Sequence, residues 1–180
     1  MRYRRSQAPG ATYFFTVVTH DRKKILCLDE NPGLLKRSFE AVRGKHPFTL
    51  DAIVLLPDHL HCLWTLPPGD NDYSKRWMLI KSGFTRTCHD PFKSEYQASR
   101  ADKREQYVWQ RRFWEHQIRN DMDFMRHVEY IHYNPVKHGL ATAPIEWRYS
   151  SFQRYVKEGK YRADWGAKDD ISFDRFIGRE

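Results

Sequence analysis

His59-Leu60-His61 places two imidazoles at alternate positions. On a strand, alternate residues face the same side, so both rings project together and can ligate one cation, while Leu60 turns to the opposite, buried face. Further along, Tyr130 and Asn134 stand four apart in a stretch of helical character, with His127 three before Tyr130. That spacing presents a phenol, an amide and an imidazole on one helix face. A cation site and a phenol are the parts of metal-assisted nucleophilic chemistry, in which the phenol, with a reference pKa of about 10, needs a nearby positive charge to lose its proton. Taken singly, the patterns also fit two surface histidines in a chain with nine, and a tyrosine packed on a sheet beside an asparagine that ends a helix before Pro135.

The elements that must position these groups follow from composition and periodicity. Tyr13 to His20 is dense in β-branched and aromatic residues and predicts a first strand. Asn31 and Pro32 suit the cap and first turn of a helix carrying Leu34, Leu35, Phe39 and Val42, ending before the Gly44 to Pro47 breaker. Phe48 to Leu56 and His59 to Leu66 read as two strands around the Pro57-Asp58 turn. Ser74 to Cys88 is an amphipathic helix with Trp77, Ile80, Phe84 and Cys88 inward and Lys75, Lys81, Arg86 and their neighbours on a solvated face. Pro91 to Gln106 is polar and without period, a surface connection. Trp109 to Ile118 suits a fourth strand. Asn120 or Asp121 can cap a helix with Phe124, Val128 and Ile131 inward, and Pro135 is expected to push Asn134 out of helical geometry and end it. Short helices are expected in Glu146 to Val156 and Ile171 to Ile177. The βαββαβ order predicts an α+β, ferredoxin-like antiparallel sheet with helices on one face and a C-terminal helical extension. We divide the chain into a catalytic domain over 1–140 and an extension over 141–180 packed on it.

At 180 residues one domain is expected, and 31 Lys plus Arg against 23 Asp plus Glu gives a net charge of +8 that favours a polyanionic partner. No apolar run approaches the roughly 18 residues of a membrane span, and Met1 to Arg5 lacks a signal-peptide core, so a soluble, cytoplasmic protein is expected without a membrane role. Cys27, Cys62 and Cys88 form no C-x-x-C pair, which argues against a disulfide framework or a cysteine zinc site. Aromatic residues, 15% of the chain, are mostly core but could also stack unpaired bases.

Taken together, the His-Leu-His strand and the tyrosine helix resemble those of the HUH nucleases, and more closely those of the REP-associated tyrosine transposases, relatives of the single-strand insertion-sequence transposases. The resemblance rests on Tyr3-Arg4-Arg5 with Pro9 to Thr16, Leu56-Pro57-Asp58-His59-Leu60-His61, Phe113-Trp114-Glu115-His116, Tyr130 to Leu140, and Trp147-Arg148-Tyr149-Ser150-Ser151-Phe152, in that order. It implies that His59, His61 and Asn134 hold a divalent metal, Mg²⁺ or Mn²⁺, and that Tyr130 attacks a DNA phosphate. Single-stranded or hairpin DNA with palindromic repeats would then be cleaved and rejoined through a covalent 5′-phosphotyrosine, without a nucleotide cofactor, by a monomer or homodimer. The extension after Gly139 is expected to cover the site.

Phosphate contacts are expected from Arg2, Arg4 and Arg5, from Lys75, Arg76, Lys81 and Arg86 on the second helix, and from Arg111-Arg112. His127 and His132 are candidates for proton transfer. Two other readings remain open at this point: a non-catalytic nucleic-acid-binding ferredoxin-like module, and a metal-dependent phosphodiesterase using activated water.

Overall fold

In the computed structural model the described residues are 8–89, 108–167, 171–173 and 177–178. Arg2, Arg4, Arg5 and the polar stretch from Pro91 to Gln106 lie outside them. The strand β1 (Thr12–Val18) is buried from Tyr13 onward, as its aromatic and β-branched residues require when both faces of a strand are covered. It pairs antiparallel with β3 (His59–Thr65) and with β4 (Trp114–Gln117), and β2 (Thr49–Leu55) pairs with the far side of β3. The strand order is β2-β3-β1-β4. With α1 (Asn31–Lys45) before β2 and α2 (Tyr73–Thr87) before β4, this is the predicted βαββαβ ferredoxin-like arrangement.

Alternation along the strands divides the core in two. Tyr13, Phe15 and Val17 of β1 and Leu60, Cys62 and Trp64 of β3 pack against Leu35 and Phe39 of α1 and Trp77 and Phe84 of α2. Phe14, Ala52, Val54 and Leu63 face the other way and meet Val128, Tyr130 and Ile131 of α3 (Asp121–Lys137). Two helices therefore share one face as expected, and α3 covers the opposite face. Because Leu60 belongs to the first side, His59 and His61 are turned toward α3.

Several boundaries move. Glu30 takes the cap position of α1, and the buried Asn31 amide instead donates to the Ile25 carbonyl at 2.8 Å; the helix runs through Gly44. The expected fourth strand shrinks to Trp114–Gln117, with Trp109 making an isolated bridge to Thr19. Asn120 caps α3, accepting from Asp123 N–H at 2.9 Å.

The expected stop at Asn134 is overturned, because α3 continues through Pro135 to Lys137. Proline removes one donor and the bond it would make to the carbonyl four residues back, but the following turn keeps its own, His138 N–H donating to Asn134 O at 3.0 Å. The stop is made by Gly139, at φ +66°. Leu140 N–H donates to Pro135 O at 2.8 Å and Gly139 N–H to Val136 O at 2.9 Å, the paired bonds of a Schellman cap.

The C-terminal part adds a short 3₁₀ turn, Pro144–Glu146, and α4 (Phe152–Lys157). Between them Tyr149 and Ser151 close the outer edge of β2: Leu55 N–H donates to Tyr149 O and Ser151 N–H to Ile53 O, each at 2.8 Å. An edge strand with its polar groups satisfied cannot recruit another strand. The three cysteines are thiols.

Candidate active site

The site begins on β3. His59 and His61 are buried, their rings 4.9 Å apart and nearly perpendicular. His59 Nδ1–H donates to Asp58 at 2.6 Å, and His61 Nδ1 shares a hydrogen bond of 2.9 Å with Thr16 Oγ1 on β1, directly across the strand register. Holding Nδ1 in this way fixes ring orientation and leaves Nε2, buried in both residues, as the nitrogen each would turn to a cation. Burial works to raise the Asp58 carboxyl, but hydrogen bonds and charge from His59 and Arg22 outweigh it and hold it below the usual carboxylate range. A carboxylate behind an imidazole makes that imidazole a better ligand.

Helix α3 supplies the opposite wall. The Tyr130 ring lies 5.3 Å from the His61 ring, and the His138 ring, at the helix end, lies 5.3 Å from that of His59. Asn134 is one turn from each, four residues after Tyr130 and four before His138, so it faces the histidine pair from between them. Its side chain is fully buried, and neither the amide oxygen nor the nitrogen has a hydrogen-bond partner among the described residues. A buried amide left in that state costs roughly 1–3 kcal/mol, and such a cost is expected where a ligand completes the site. Two neutral imidazoles and an amide oxygen are therefore a donor set that fits a divalent cation and leaves its charge unneutralised.

The Tyr130 hydroxyl donates to Gly178 O at 3.2 Å and accepts from Lys137 Nζ at 3.0 Å. Phe173 packs edge-on against its ring at 5.4 Å. The C-terminal extension thus covers Tyr130, which is 1% exposed.

A second cluster that can hold a metal ion is formed by His116 of β4 with Asp123 and His127 of α3, whose ligand atoms lie within 4.8 Å of one another. These groups already bond to one another: His116 Nε2 and the Arg119 N–H meet Asp123 Oδ2 at 2.9 and 3.0 Å, and His127 Nδ1–H donates to the Asp123 carbonyl at 2.7 Å. Phe14 separates the two groups, its ring 5.5 Å from His61 and 4.8 Å from His127. His59, His61 and Asn134 lie beside Tyr130 and include an unsatisfied amide, whereas the groups of the second cluster already bond to one another. The other cluster ties β4 to the first turn of α3.

The two histidines considered for proton transfer fare differently. Burial pushes the His127 pKa down, with the Asp123 carbonyl pulling the other way. His132 points away from the site into the rings of Phe152, Tyr155 and Tyr161, with Nε2 2.9 Å from Ser151 Oγ; burial lowers its pKa to about 3. Its burial and its partners argue against a role in proton transfer, and the ring joins α3 to the extension.

Among the expected DNA contacts, Arg76 is corrected: it is 3% exposed and forks onto Asp70, with further bonds to the carbonyls of His46, Pro47 and Asp72. A guanidinium so fully engaged is part of the scaffold. Lys75, Arg86, Arg111 and Arg112 are exposed, and Lys81 holds the Gln110 carbonyl at 2.6 Å. Lys75, Lys81 and Arg86 ride on α2, across the sheet from Tyr130. Sequence reasoning missed Asp58, Thr16 and Lys137; only for Lys137 did a signal exist, its separation of seven residues from Tyr130 being nearly two helical turns.

No family model matches the chain. It is 42% identical over 163 residues, 91% of its own length and 89% of the relative's, to the REP-associated tyrosine transposase of Escherichia coli (strain K12). A relative from Haemophilus influenzae is 41% identical over 169 residues, covering 94% of this chain and 95% of its own. The fold matches a solved structure of a REP-associated tyrosine transposase bound to a REP hairpin with a TM-score of 0.79 and 39% identity over 99% of both chains. Identity at that level along nearly the whole length, on a shared fold, places this chain in the family of REP-associated tyrosine transposases.

Proposed function

We propose that this enzyme cleaves and rejoins single-stranded DNA at palindromic hairpins, with Tyr130 as nucleophile and His59, His61 and Asn134 as ligands of Mg²⁺ or Mn²⁺. The observation that carries the reading is the meeting of β3 and α3: the phenol beside His61, and one turn on an amide buried without a hydrogen bond. When bound, the cation would draw charge from a non-bridging phosphate oxygen and orient the phosphate. Asp58 and Thr16 hold the imidazoles, and Phe14 supports Tyr130 from below, its ring 6.0 Å away. Attack by the Tyr130 oxygen forms a phosphotyrosine bond as the P–O3′ bond breaks, and the freed 3′-hydroxyl can later reverse the step. Energy is conserved, so no nucleotide cofactor is needed.

All four groups lie in one chain, which supports a site complete within a protomer, whether monomer or homodimer. The hairpin preference draws support from the hairpin-bound relative, and the net charge of +8 suits DNA. No described helix is long and apolar enough to cross a membrane, and we place the enzyme with DNA in the cytoplasm. The extension over 141–180 is read as part of the same unit, since Trp147, Tyr155 and Tyr161 pack into the α3 side of the core.

The test is a denaturing gel of labelled single-stranded hairpin DNA with Mn²⁺. Wild type should yield a protein-linked strand. Tyr130→Phe should bind DNA and metal yet give no adduct at any metal concentration, and His59→Ala or His61→Ala should lose the adduct but recover part of it with excess Mn²⁺. Released products with no linked strand would point to hydrolysis by water, and binding without any cleavage to a non-catalytic module.

A further inference from the structure

We infer that Lys137 is a further catalytic residue of strand cleavage, its ammonium holding the attacking oxygen of Tyr130 and meeting the negative charge of the incoming phosphate. The inference rests on Tyr130 being the nucleophile. Seven residues separate the two, so they lie on one helix face within about 20°. Lys137 Nζ donates to the Tyr130 hydroxyl at 3.0 Å and lies 4.9 Å from the centre of its ring. That placement exists only because α3 continues beyond Pro135 and is stopped by Gly139; a helix ending at Asn134 would not carry Lys137 onto this face.

The ordinary role of a lysine in a last helical turn is to extend into water near the C-terminal carbonyls. Lys137 remains exposed, yet its ammonium folds back along the helix onto a buried ring. The hydroxyl accepts from the ammonium and donates to Gly178, so its lone pair is oriented by the charge of Lys137. In the cleavage step the Oη–P bond forms and the P–O3′ bond breaks; the phenol proton passes to water, and the 3′-oxygen takes a proton from water. Lys137 keeps its proton throughout. Its contribution is a compact fixed charge beside an oxygen and a phosphate that become more negative as they approach. In the reverse step the same charge stabilises the departing phenolate, so cleavage and rejoining should depend on it alike.

The test uses the full chain with Mn²⁺ and a labelled hairpin oligonucleotide on which wild type forms its adduct, with enzyme saturating and in excess. Lys137→Gln should slow adduct formation by about 100-fold while hairpin affinity and the Mn²⁺-induced rise in melting temperature stay within about threefold and about 1 °C of wild type. Lys137→Arg, which restores the charge, should recover at least about tenfold of the loss. Near-wild-type rate in Lys137→Gln, a loss removed by raising enzyme concentration, or an arginine variant as slow as the glutamine variant would each overturn the assignment. Mapping the adducted peptide separates the two ideas: linkage to Tyr130 with no effect of Lys137→Gln refutes only the role of Lys137, whereas linkage elsewhere refutes both.

Discussion

Replacing Asn134 with leucine should make the metal-free protein more stable while sharply reducing its response to metal. The amide is fully buried, and neither polar atom has a hydrogen-bond partner among the described residues. Leaving such a group unsatisfied costs roughly 1–3 kcal/mol. Leucine matches asparagine closely in length and removes the polar atoms, while its branched end introduces a misfit of less than about 1.5 kcal/mol. The net expectation is a gain of about 1 kcal/mol, or roughly 2–4 °C in melting temperature for a chain of this size. Metal binding works in the opposite sense: at a free concentration of about 100 times Kd, wild type should gain about 2.7 kcal/mol and Asn134→Leu much less. Thermal unfolding of both proteins in EDTA and in graded Mn²⁺ gives the two numbers separately. If Asn134→Leu melts several degrees below wild type in EDTA, the amide is satisfied in solution and the argument from its isolation fails. An undiminished Mn²⁺ response would remove Asn134 from the ligand set.

Stability should fall on acidification because His132 is buried neutral. Its folded pKa of about 3 lies below the unfolded value, so the stabilisation is present above about pH 6.5 and is lost as the unfolded chain takes up the proton, about 2 kcal/mol by pH 5. Chemical denaturation across pH should show a shallower slope in His132→Asn, and an unchanged slope would mean the imidazole titrates freely in the native state. Arg76→Met should destabilise by about 2–3 kcal/mol through the stranded Asp70 carboxylate and the carbonyls left without a donor, yet leave the salt dependence of hairpin binding unaltered; a slope reduced by about 0.7 would return Arg76 to the DNA surface. Gly139→Ala meets no atom within 4 Å, so its cost should be the left-handed backbone alone, about 1–2 kcal/mol in urea unfolding, with adduct formation slowed as the end of α3 loosens. Unchanged stability would show that the Schellman cap does not hold that end.

The order of elements, the shared face of His59 and His61, the inward Leu60 and the joint presentation of Tyr130 and Asn134 were legible in the sequence because each depends on local period alone. A two-residue repeat fixes which side chains of a strand stand together, and a 3.6-residue repeat does so for a helix. Neither period says which face of the sheet a helix will cover, and that choice brought α3 onto the histidines while α1 and α2 took the other side. Neighbours of the same charge diverged for the same reason: Lys75 stays in solvent, whereas Arg76 is drawn in by Asp70 and carbonyls remote in sequence. His127 and His132, alike on paper, went to different partners on the same side of the sheet, His127 to Phe14 and β4, His132 to the rings of the C-terminal extension. Pro135 was read as a local stop, but the loss of one donor did not end the helix, and Gly139 set the boundary instead. Burial and long-range partners are properties of the packed chain, and they decided which of the legible groups came together.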